Sequence, residues 1–380
     1  MADTTETGGS AETAGAVKNV ETAPVADVNE RREAPASGLA TFFPGYFALV
    51  MATGIIATGA HLEGLDWLGD GLFAIAALAY VVIAALMTMR AIRYPRLVLA
   101  DLTSHARGFA FLTAVAATNV LGAAAGVVQG WWGLAWVLWF VGVAAWPILL
   151  YITLVAVVLG GPKPGLEAGI NGTWFLLTVA TESIAVLGAL LLRRGDSDVL
   201  AFSCLALFCL GLVLYLIVMT MVFLRWTFAS LEPTEADPPA WIAAGAVAIV
   251  VLAGSNLLLA QDAAPRIARV APAIEAVVVL AWATATFWFP LMVAIGVWRH
   301  VIRRLPLRYH PSYWALVFPL GMYGVATSRM TDATDLTALD WLPPVMLAIA
   351  LTAWALAFAG LVGTASRVWR SSPVAASGRR

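Results

Sequence analysis

The chain has 380 residues, of which 61% are hydrophobic and 12% charged, with a net charge of −1. A soluble domain carries about 25% charged residues, so this composition excludes an ordinary water-soluble protein and points to a polytopic membrane protein, with the lipid bilayer as its first partner. So balanced a charge gives no reason to expect a nucleic acid among its ligands.

Residues 1–38 are rich in Thr, Glu, Ala and Gly and contain no aromatic residue. They cannot bury enough apolar surface to order themselves and read as a disordered cytoplasmic tail. No basic start followed by an apolar run and a small-residue cleavage site is present, so this is not a signal peptide. From there, runs long enough to cross a hydrocarbon core of roughly 30 Å fall near 42–60, 71–89, 108–128, 132–158, 172–192, 199–224, 240–260, 271–298, 312–328 and 342–366. These make a domain over 39–368, all α-helical, followed by a cytoplasmic tail at 369–380. Short connections group the spans into consecutive hairpins, a repeat that rests mainly on spacing.

Orientation follows from where basic residues collect. Arg193, Arg194, Arg266, Arg269 and Arg329 lie on one side of the spans, and every other Lys and Arg lies on the side that holds the two termini. The termini are therefore expected in the cytoplasm and the protein in the plasma membrane.

Along the chain, polar and small residues cluster in the odd spans. The third carries Asn119 with Gly122 and Gly126, the seventh Gly254, Ser255 and Asn256, and the ninth Gly321, Gly324 and Thr327. Small residues permit close helix packing, and they equally suit helices that line a narrow path. Even spans are bulkier, and the Trp-rich fourth suits a lipid-facing position. The fifth span carries Thr181-Glu182-Ser183, and Glu182 is the one charge near mid-membrane. Intramembrane ionisable groups are costly and functional by default, so Glu182 is read as a protonatable site on a transport path, against the alternative of a structural carboxyl. Cys204 and Cys209 read as packing residues. In the ninth span Phe318 precedes Pro319 inside an apolar segment. That proline removes a backbone donor and crowds the Ala315 carbonyl, placing an aromatic ring at a bend. The pattern fits the gate of a pore and also an ordinary packing helix.

No Lys or Arg falls inside a span, so an anion path would rely on amides, hydroxyls and helix ends. The chain has no His-Glu-x-x-His and no Gly-x-Ser-x-Gly. Its four histidines sit at or beyond span ends, so no catalytic residue, metal or cofactor is expected.

Several segments together resemble the tellurite-resistance/dicarboxylate transporter family, which includes the slow-type plant anion channels. They are Phe43 to Gly54 (with Met51), Trp174 to Val186, Trp241 to Gly254, Trp298-Arg299-His300, and Tyr313 to Thr327. The resemblance implies ten transmembrane helices as five hairpins around a central pore, a homotrimer, and an aromatic gate at Phe318 and Pro319. It implies small anions or four-carbon dicarboxylates as substrates. Candidate pore-lining or coupling residues are then Glu182, Thr181, Asn119, Ser255, Asn256, Met51 and Thr327. The chain departs from the family at Glu182, where Gln is expected. Open alternatives are a proton-coupled dicarboxylate symporter, or a tellurite- or sulfite-type oxyanion exporter, using Glu182. From another class, an intramembrane enzyme or sensor also remains open.

Overall fold

A computed structural model describes residues 38–230, 232 and 238–371, with side chains described as far as 367. The tails expected at 1–38 and 369–380 lie almost wholly outside these residues. Ten long helices carry the fold: α1 (Ala48–Leu62), α2 (Asp66–Arg93), α3 (Leu112–Val127), α4 (Trp132–Leu159), α5 (Leu176–Leu192), α6 (Asp198–Phe228), α7 (Ile242–Leu258), α8 (Pro265–Val297), α9 (Trp314–Thr334) and α10 (Leu342–Ser371). No strand occurs among the described residues.

Among the described residues, nine helices are long and apolar enough to cross a membrane. The exception is α9, whose 21 residues include Arg329 and Asp332 near one end. Its sides are covered by α1, α7 and α10, so protein and not lipid is its solvent. High hydropathy is not required of it.

The odd helices form a closed inner ring, each packing on the next: α1 on α3, α3 on α5, α5 on α7, α7 on α9, and α9 back on α1. The even helices form an outer ring. Each packs mainly on the inner helix before it in sequence and also touches the one after it, α10 touching α1. Burial follows this division. The most apolar windows of α1, α3, α5 and α7 are 83–100% buried, and those of the outer helices 22–33%. Outer-ring residues such as Val81, Phe140, Ile148, Leu216 and Leu280 are largely exposed, as lipid contact demands.

Length separates the rings as well. α1, α3, α5 and α7 have 15–17 residues, about 22–26 Å at 1.5 Å per residue. Each is preceded by a 3-10 turn: Pro44–Phe47, Gly108–Phe111, Gly172–Phe175 and Pro238–Trp241, with Pro311–Tyr313 before α9. Such a turn of four residues adds about 8 Å, which brings the inner segments to the thickness of the core. All five turns end on an aromatic residue, and neighbouring turns touch in a closed ring. Gly172 is needed there, because a Cβ would strike the backbone of Pro239.

Hydrogen bonds tie the rings together in a repeated way. Tyr80 on α2 meets Thr118 on α3 at 2.8 Å, and the Trp146 indole on α4 donates to Thr181 on α5 at 3.0 Å. Trp282 on α8 donates to Thr327 on α9, and Trp354 on α10 to Thr53 on α1, each at 3.0 Å. In each case the outer helix reaches forward to the next inner helix. Interhelical bonds of this kind contribute about 0.6 kcal/mol on average.

Candidate functional site

The inner ring encloses two narrow cavities on one axis. The first lies near the helix starts and takes residues from all five inner segments, including Met51, Thr113, Leu176, Ile242, Ala315 and Phe318. The second lies further along and again draws on all five inner helices, with Ile55, Asn119, Ser183, Ile249, Asn256 and Met322 among its walls. Their volumes are about 40 and 30 Å³. A single water needs about 10–15 Å³, so each has room for at most a few waters and neither admits a hydrated anion.

Helical spacing explains which side chains face the axis. On α9 the stripe runs Ala315, Phe318, Met322, Val325, Arg329, in steps of three and four residues. On α5 it runs Leu176, Ser183, Val186, Leu190. Along each helix, between the positions that wall the first cavity and those that wall the second, the inner helices carry small buried residues, among them Ala116, Ala117, Ala180 and Ala246. Phe318 is the large side chain bordering this layer on α9 and is 2% exposed. Next to it, Pro319 packs against Gly245 of α7, where a Cβ would come within 2.7 Å of the proline ring. The small residue on α7 therefore lets α9 approach at the level of Phe318.

Several polar groups border the second cavity. Asn119 donates to Ser183 at 3.0 Å and to the Val115 carbonyl at 3.1 Å. The Oδ1 atoms of Asn119 and Asn256 are buried and find no donor among the described residues. The rest of the wall is mostly Val, Leu, Ile and Met, a lining that disfavours water until it widens.

Of the residues singled out from sequence, the structure brings Met51, Phe318, Asn119 and Asn256 to the axial cavities. Four others are not among the wall residues of these cavities. Glu182 precedes Ser183 by one residue, a rotation of about 100° on a helix with 3.6 residues per turn. Its carboxyl lies against Gly211 of the outer helix α6, where a Cβ would clash with it. It is fully buried, and neither oxygen has a hydrogen-bond partner among the described residues. Thr181 and Thr327 are turned outward to Trp146 and Trp282, and Ser255 is buried outside the cavity walls. Pro319 supports the Phe318 layer without lining it.

One residue at these cavities was not expected there. Arg329 reads in the sequence as a loop cation, yet it borders the second cavity and the open mouth beyond it. The signal was present: Arg329 continues the three-and-four stripe that starts at Phe318.

The electrostatics of the two ends differ. Five inner helices begin at one mouth and end at the other. Each helix start carries about +0.5 elementary charge and each end about −0.5. The mouth of helix starts therefore attracts anions without a fixed charge. At the opposite mouth, Arg193, Arg194 and Arg329 stand beside the helix ends.

Comparison with known proteins gives concordant results. Residues 41–362 match the model of a family described as voltage-dependent anion channel. A membrane protein of Mycobacterium tuberculosis, called uncharacterized, is 36% identical over 163 residues, covering 42% of this chain and 82% of its own. A transporter of Methanocaldococcus jannaschii, also called uncharacterized, is 25% identical over 300 residues, covering 76% of this chain and 83% of its own.

Proposed function

Because the chain belongs to the voltage-dependent anion channel family, we propose that it carries small anions along the axis of its inner ring, through a path closed in this state by Phe318. The observation behind this reading is that all five inner helices wall two cavities in line, and that Phe318 borders the layer between them. In this reading Phe318 is the gate, backed by Pro319 on Gly245, and Met51, Asn119 and Asn256 line the route. The termini lie in the cytoplasm, the protein sits in the plasma membrane, and the unit is a homotrimer with one path per subunit.

Five helix starts, two asparagines and largely apolar walls, with Arg329 only at the far end of the second cavity, make a weak field for anions over most of the route. Discrimination then follows how readily an anion sheds water. In proteoliposomes, nitrate and iodide are expected to permeate faster than chloride, with low apparent affinity and no need for a proton gradient.

A proton-coupled dicarboxylate carrier using Glu182 is a second reading. It is favoured by one observation: a buried carboxyl without a partner among the described residues. The same flux measurement separates the two. Saturable malate uptake that requires an inward proton gradient and excludes nitrate overturns the channel reading and supports the carrier.

A further inference from the structure

Beyond the axial cavities the path widens into a third cavity of about 300 Å³, walled by Val127, Trp132, Leu190, Arg193, Arg194 and Arg329. We infer that this cavity is a capture site for anions presenting a carboxylate or comparable oxyanion face, and that Arg329 passes them into the axial route. The inference rests on the transport reading for its purpose, while the site itself is defined by its own residues.

Three guanidinium side chains share this small space. Arg193 lies near enough to Arg329 for their charges to act on each other. Arg194 stacks over the Trp132 ring, with its central carbon 4.3 Å from the ring centre. Among the described residues the one carboxylate in direct contact with the group is Asp332, which accepts a bond from Arg329 at 3.0 Å and is about half exposed. No ion pair to Arg193 or Arg194 occurs among the described residues. Like charges brought together without matching counter-charges favour a bound anion.

Helix capping does not account for the arrangement. Arg193 directly follows α5, but no hydrogen bond from its side chain to a carbonyl is found among the described residues. Arg329 stands five residues before the last residue of α9, so it does not cap its own helix. The placement has a consequence for transport. Five helix ends together present about −2.5 elementary charges at this mouth, which would repel an anion. Arg193, Arg194 and Arg329, with Asp332 subtracting one charge, offset most of that repulsion where the path opens.

The chemistry of the ligand follows from the donors. Arginine presents a planar fork that matches carboxylate geometry with two parallel bonds, and a lysine or a helix start does not. Arg329 gives one nitrogen to Asp332 and keeps other donors for a ligand. The cavity is about ten times the volume of the second axial cavity, and so admits a small dicarboxylate such as succinate.

The test is isothermal titration of the full-length protein in detergent at low ionic strength, with succinate and chloride as separate probes. Wild-type protein is expected to bind succinate more tightly than chloride. Arg329→Gln and Arg193→Gln should each weaken succinate binding at least about tenfold, and Arg329→Lys should restore only part of it. Arg269→Gln, an exposed arginine on the same side of the membrane, is expected to change nothing. Thermal unfolding identifies any variant that fails to fold, and the other arginine then carries the test. Absent succinate binding in the wild type, or wild-type binding in both Gln variants, overturns the site. Full restoration by lysine, or chloride binding as tight as succinate, overturns its oxyanion preference. Arginine-dependent binding in a protein that shows no anion flux under any condition supports the site and removes the pore reading.

Discussion

Replacing Phe318 with Ala is the most direct perturbation of the proposed path. The ring is 2% exposed, and in a closed core a Phe→Ala change costs about 3–5 kcal/mol, part of it from the sealed void left behind. Phe318, however, borders the first axial cavity, and its neighbour on the stripe, Met322, borders the second. Removing the ring should join the two cavities, so no sealed void remains and that part of the cost disappears. The expected loss of stability is therefore about 1.5–3 kcal/mol, the transfer contribution of a buried side chain of this size. Conductance should rise at least about tenfold, which needs a barrier lowered by only about 1.4 kcal/mol. Phe318→Leu should fall between wild type and Ala. Chloride currents in planar bilayers measure the first effect and thermal unfolding in detergent the second. Unchanged conductance together with a loss of 3–5 kcal/mol would identify Phe318 as a packing residue and refute the gate.

Three further outcomes follow from the placement of side chains between the rings. Glu182→Gln should leave anion flux within about twofold at every pH, because the carboxyl lies against α6 and off the axis; loss of a pH-dependent uptake would instead return it to the transport cycle. Gly211→Ala drives a methyl group into that carboxyl and should cost about 1–3 kcal/mol as overpacking, and combining it with Glu182→Ala should recover part of the loss in a double-mutant cycle. Trp146→Phe removes one bond to Thr181 and should lower stability by about 0.6 kcal/mol, at most about 1.7, with flux unchanged; a larger loss in an unfolding assay would mean the indole does more than join α4 to α5.

The ten-helix count, the hairpin order and the division into odd and even helices were legible in the sequence, because lipid imposes its requirements residue by residue. A helix facing lipid must be apolar and long, as α2, α4, α6, α8 and α10 are. A helix surrounded by other helices can carry Gly, Ser and Asn. Phe318-Pro319 stood out for the same reason: proline inside a membrane helix is a local chemical fact. The aromatic residue that ends all five 3-10 turns, at Phe47, Phe111, Phe175, Trp241 and Tyr313, was also available as a mark of the repeat.

Only the tertiary structure decided which way each inner helix turns. All 17 residues of α5 are buried, so no polar face meets water and the usual signature of orientation is absent. Thr181, Glu182 and Ser183 look alike on such a helix. Closure of the ring points Ser183 to the axis, Glu182 to Gly211 and Thr181 to Trp146. The same rotation carries Thr327 away from the path and brings Arg329 to its mouth. Hydrophobicity tells a chain which helices to bury, whereas the angle at which a buried helix meets its neighbours is set by contacts among all five, and those exist only once the ring has closed.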